Sequence, residues 1–155
     1  MFRLLSMLVF AFTAMIPPAV HAMGGNDSTA PAARTDPDYA AGKQAVEKKD
    51  WPRAIESLTK AAEKDARNAD IQNYLGYSYR NSGQLDLAFR HYEQALSINP
   101  KHRGAHEYVG EAYLMVNNVA KAEEHLAALD RLCTFSCEEY TELKEKIAAY
   151  KSKAK

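Results

Sequence analysis

Few side chains in this sequence are of a type and spacing that could do chemistry. Cys133 and Cys137 are the only cysteines, spaced C-x-x-x-C. Two thiols so placed can close a disulfide over Thr134 to Ser136, exchange electrons, or donate to a soft metal ion. The spacing is not the C-x-x-C of dithiol oxidoreductases, and two thiolates alone leave a zinc or copper site incomplete. Among the histidines, His91 and His125 are 34 residues apart, while His102 and His106 are one helical turn apart. Neither pair reads as a metal site: the first occupies equivalent places one period apart, and the second has no motif around it. Glu107 and Glu111 are acids one turn apart, a spacing common on solvated helix faces. No G-x-S-x-G, H-E-x-x-H, P-loop or haem C-x-x-C-H motif occurs. No catalytic residue, metal or cofactor is therefore expected.

The elements that must position these residues follow a fixed period. Gly42, Gly76 and Gly110 are 34 residues apart, as are Ala54, Ala88 and Ala122. The pattern is densest from Leu75 to Pro100, LGYSYRNSGQLDLAFRHYEQALSINP, which reads L-G-x-x-Y, then A-x-x-x-Y, then proline. Gln72 stands where the pattern wants Trp. This stretch resembles the tetratricopeptide repeat (TPR) family. The resemblance covers about Asp36 to Leu129. It implies an all-α, right-handed solenoid of three helix pairs, with a C-terminal helix covering the last.

Local signals place those helices. Asp36-Pro37 and Asp50-Trp51-Pro52 each put a capping acceptor before an early proline, which predicts helix starts. Ala54, Leu58 and Ala61 form an inward stripe, with Trp51 expected in the repeat core. Helices are predicted near 69–82 and 85–98; Gly83 stops the first, and Asn99-Pro100 ends the second. The repeats are read as 36–68, 69–102 and 103–134. The third decays, with Leu129 where Ala is expected and Thr134 where Pro is. Ser136 and Glu139 predict a capping box opening a final helix over 136–151, whose Tyr140, Leu143, Ile147 and Tyr150 share one face. Residues 152–155 are expected to fray. A Cys133–Cys137 disulfide would fix this helix to repeat three, contributing about 2 kcal/mol in the chain-entropy view.

The front of the chain reads differently. Residues 1–22 combine Arg3, an apolar run from Leu4 to Ile16, and Val20-His21-Ala22 before an expected cleavage point, a signal-peptide pattern. Residues 23–35 are rich in Gly, Ser, Ala and Pro and read as a flexible leader. Export is expected, to the periplasm in a bacterium and otherwise by secretion, with no membrane insertion after cleavage. Lys+Arg 20 balance Asp+Glu 20, so no global field favours nucleic acid.

The resemblance also implies a groove lined by the first helix of each pair, holding a peptide or helix of another protein. Its lining would be Tyr39 and Lys43 in repeat one, Asn73, Tyr77 and Arg80 in repeat two, and Glu107 and Glu111 in repeat three. Cations would lie at one end and acids at the other, with Asn73 bonding a peptide backbone. The paired-carboxylate clamp of chaperone-binding members is not matched: Tyr39, Lys43, Tyr74, Gly104 and Tyr108 stand at its positions. Short exported members are associated with envelope assembly. The expected function is thus a protein-binding adaptor; the competing reading is a thiol-redox or metal-handling protein working through Cys133 and Cys137.

Overall fold

The computed structural model describes residues 36–153. The expected signal peptide, the leader and the last two residues lie outside them. Seven α-helices follow in order: α1 Pro37–Glu47, α2 Trp51–Lys64, α3 Ala69–Asn81, α4 Leu85–Ile98, α5 Arg103–Met115, α6 Val119–Leu132 and α7 Glu138–Lys153. They form an all-α solenoid. α1/α2, α3/α4 and α5/α6 are antiparallel pairs, and α7 packs on both α5 and α6. First helices of successive pairs approach one another, α1 to α3, α3 to α5 and α5 to α7, with no comparable approach between second helices. The stack therefore bends toward its first-helix side.

Side-chain caps start most of these helices. Asp36 accepts from the Asp38 and Tyr39 amides, Asp50 from Arg53, Asn68 from Asp70 and Ile71, and Asn118 from Lys121. The helices pair because small residues on the first meet large ones on the second. A methyl group added at Gly42 would lie 2.6 Å from Leu58, and one at Gly76 would lie 2.6 Å from the Tyr92 ring. Tyr92, Leu58, Leu75, Leu129 and Leu143 are fully enclosed. Each such side chain contributes about 1.5–3 kcal/mol by leaving water.

Repeat three breaks this rule. By period, Gly110 should receive Leu126, yet Leu143 of α7 fills the space over it, 2.6 Å from an added methyl. Leu126 stays half-buried. So α7 is keyed into the last glycine socket as well as covering an end. Its start differs from the sequence expectation. It begins at Glu138, not 136, and stays helical through Lys153. The Ser136 hydroxyl bonds that of Thr141, and Glu139 faces Arg103 at 3.5 Å, so the capping box does not form. Arg103 draws Glu139 across to α5, and the preceding turn is tied by a Cys133–Cys137 disulfide with Cα atoms 5.8 Å apart. Trp51 is likewise not a core residue. It sits at the first position of α2, above the buried stripe, and meets Tyr77 edge-on at 5.9 Å.

Each turn inside a pair uses one left-handed residue, again one period apart: Lys49 (φ 57°), Gly83 (φ 82°) and Asn117 (φ 59°). Gly and Asn adopt this conformation readily; Lys does not. Lys49→Gly is accordingly expected to raise the unfolding free energy by about 0.5–1 kcal/mol, read as a higher urea midpoint at unchanged slope.

Candidate functional site

The first-helix face carries a row of aromatic rings. Tyr39 and Tyr74 meet at 6.0 Å, and Tyr77 and Tyr108 at 4.8 Å. Cations lie over both pairs. Lys43 Nζ is 5.7 Å from the Tyr39 ring and 5.6 Å from Tyr74, and the Arg80 guanidinium is 5.2 Å from Tyr77 and 5.5 Å from Tyr108. Such contacts hold the rings in fixed poses. Tyr74, Tyr77 and Tyr108 remain half-exposed and Lys43 is exposed.

Seven residues were expected to line the groove, and the structure divides them. Lys43 is exposed and Tyr77 partly buried. Tyr39, Asn73, Arg80, Glu107 and Glu111 are buried, each less than a tenth exposed. Asn73 in particular is 5% exposed, with its side-chain oxygen enclosed, so it presents no amide to a peptide backbone in this conformation. The reason is lateral packing. Successive first helices stand close enough to bury these side chains between them, and α7 closes over those of α5.

Nor do the charges segregate to two ends. Glu111 receives Arg80 from α3 on one side and Lys146 from α7 on the other, a bridge across three first-side helices that is buried at Arg80 and Glu111 and half exposed at Lys146. Beside it the Glu107, Glu111 and Glu142 carboxyls lie within 4.8 Å of one another. Burial above all, then a hydrogen bond with Glu142 and the charges of Glu111 and Glu142, push Glu107 up to about 9, against an opposing pull from Lys146. Glu107 is therefore protonated at neutral pH and donates to Glu142. Burial also raises the Tyr92 phenol, whose enclosed hydroxyl feels Arg80 and Glu111.

Two contacts went unread in the sequence. His102 caps α5, its Nδ1 accepting the Ala105 amide at 3.1 Å, while Nε2–H donates to Asp70 Oδ1 at 2.9 Å. This buried pair staples repeat two to repeat three. Asn68, one period earlier, holds the equivalent cap, and that register was the available signal. The second contact joins His106 to His125, Nδ1 to Nδ1 at 2.9 Å. Burial foremost lowers both rings' pKa, that of His125 to about 4. Cys133 and Cys137, bonded to each other, sit at the α6–α7 turn and present no thiol. Among the described residues, no helix is long and apolar enough to cross a membrane.

Comparison with known proteins places this architecture. Residues 69–102 match the family model "Tetratricopeptide repeat". Human protein O-mannosyl-transferase TMTC3 is 29% identical over 75 residues, which are 48% of this chain and 8% of that protein. The chain thus spans under a tenth of that relative's length. The Yersinia enterocolitica type III secretion chaperone SycD, solved with a peptide of the translocator YopD, superposes with a TM-score of 0.67 at 20% identity, covering 76% of this chain and 92% of that one. The TPR2B domain of yeast Sti1, solved as a pHsp70 complex, gives 0.69 at 18% identity, covering 75% and 94%. At these identities the likeness establishes fold. The matched repeat at 69–102, the 34-residue register of glycines and left-handed turns, and the stacked helix pairs agree: the chain carries a tetratricopeptide repeat within a solenoid of the same fold.

Proposed function

We propose that this protein is an adaptor, without catalytic activity of its own, that holds a segment of another protein against its first-helix face. One observation carries the reading: Tyr74, Tyr77 and Tyr108 stay half-exposed beside exposed Lys43 on the inner side of the bend. Tyrosine offers broad amphipathic contact at small entropic cost. The peptide complexes of SycD and Sti1 show that the same fold accommodates such occupants. The balanced charge, Lys+Arg 20 against Asp+Glu 20, supports a protein over a nucleic acid. The residue pattern of 1–22 supports export, and with it a partner outside the cytoplasm, in the envelope where the source is bacterial. The bonded cysteines at the α6–α7 turn favour a staple over a cycling thiol pair.

Affinity capture from an envelope extract tests this reading. A Lys43→Ala, Tyr77→Ala variant should lose its specific partner while retaining wild-type helicity by circular dichroism. A control on the outer side, Glu93→Ala, should retain it. Equal capture by all three proteins contradicts the assignment.

A further inference from the structure

Repeats two and three place the same bridge at the same positions with different chemistry. In repeat two, His91 on α4 meets Gln72 on α3, Nδ1 to Oε1 at 2.8 Å, and stacks on Tyr79. One period later, His125 stacks on Tyr113 and meets a second imidazole, that of His106. The backbone settles where the protons sit. His106 Nε2 lies 3.0 Å from the Pro100 carbonyl, which can only accept. That nitrogen therefore carries hydrogen, and the Nδ1 of the neutral ring is a lone pair aimed at His125. An imidazole whose far N–H is tied to a backbone carbonyl is the usual outer arrangement of a metal ligand.

The spacing fits as well. Two ring nitrogens each about 2.0–2.1 Å from one ion, at roughly 90–110° to each other, are about 2.9–3.4 Å apart. The observed separation is 2.9 Å. Beside the pair lies a cavity of about 400 Å³ lined by His106, Glu124, His125, Ala127, Ala128 and Arg131. It has room for a third donor and for water. The exposed Glu124 carboxylate, paired with Lys121 at 2.7 Å, belongs to that lining. Repeat two has Gln72 and Arg90 in place of His106 and Glu124, so the donor set is peculiar to repeat three.

We propose that His106 and His125 bind one divalent transition-metal ion of the zinc or copper type, its remaining positions taken by water and by Glu124 once that exposed side chain swings in from the same wall. On binding, His125 moves its proton from Nδ1 to Nε2 and stays neutral, so both Nδ1 lone pairs face the ion. Arg131 on the same wall disfavours hard cations held by charge alone, whereas imidazole selects zinc and copper by bond character.

The test is calorimetric titration of the chelator-treated full chain with Zn2+. The wild-type protein should bind one equivalent. His106→Gln recreates the repeat-two bridge, and so keeps the fold while removing a ligand. It should weaken binding by about tenfold or more, a loss already seen when only an outer partner is removed. His125→Gln should do the same, and His91→Gln should leave affinity unchanged. Co2+ should give a ligand-field absorption band that both site variants lack. Absence of stoichiometric binding by the wild-type chain, or a folded His106→Gln protein that binds Zn2+ equally well, overturns the proposal.

Discussion

Glu111→Ala is expected to cost about 3–5 kcal/mol of stability, because it removes the carboxylate bonded to the buried Arg80 guanidinium. Arg80 is 8% exposed, and its Nε already lacks a partner. Lys146, whose side chain is about half exposed at 47%, can swing into water and loses little. The loss should therefore be far larger than for Lys146→Ala, which removes the solvent-facing half of the same bridge. Replacing both buried members with apolar residues of similar size, Arg80→Met with Glu111→Leu, should recover much of the loss, since neither desolvated charge then remains. Chemical denaturation of the four proteins gives the comparison. A Glu111→Ala protein as stable as wild type would mean that the first-side helices are not locked through this residue.

Glu107→Gln should have the opposite sign. Glu107 is held near 9 in the folded chain against an ordinary value of 4.5. A carboxyl raised on folding supports stability fully below its unfolded pKa, and the support drains away as pH rises through the folded one. Wild-type stability should therefore fall between pH 5 and pH 9, from this group alone by on the order of a few kcal/mol. An amide at 107 can still donate to Glu142 and never ionises. The variant should be more stable than wild type at pH 8, with a flatter profile. The lowered histidines act on the other side. His106 and His125 are held neutral by burial, so their contribution is present above the ordinary value of 6.5 and drains as pH falls through their lowered values, about 4 for His125. If wild-type and Glu107→Gln profiles run parallel from pH 5 to 9, Glu107 is not the buried protonated acid described.

What could be read in advance follows from how far apart the interacting residues lie. Helix starts at Asp36 and Asp50, the stop at Gly83 and the stripe Ala54, Leu58, Ala61 are decided by neighbours within a turn or two, and sequence carries them plainly. Gly42, Gly76 and Gly110 were legible as a period; that the first two are sockets for Leu58 and Tyr92 shows only in the packing. The occupant of the third socket was not legible either. The 34-residue register points to Leu126, and only the docking of α7 delivers Leu143 instead. Lys49 gave no glycine signal for its left-handed turn, although its register with Gly83 and Asn117 did.

The groove was legible as a face and not as a set of exposed side chains. Position in the repeat put Asn73, Arg80, Glu107 and Glu111 on first helices, where they are buried. How tightly neighbouring first helices close, and where Lys146 reaches, depend on contacts more than 30 residues apart. The histidines illustrate the same limit. The sequence shows histidine spacings of 34 and 4, while the pairing that forms spans 19, from first helix to second within one repeat.

The account as a whole rests on an inner face that receives a partner. Site-specific photo-crosslinking in cells tests it most directly, with a photoreactive residue in place of Tyr77 on the inner side or Glu93 on the outer side of the full-length chain. A discrete crosslinked protein partner from position 77 and none from position 93 is the predicted result. The same adduct from both positions, or one from position 93 alone, would contradict it.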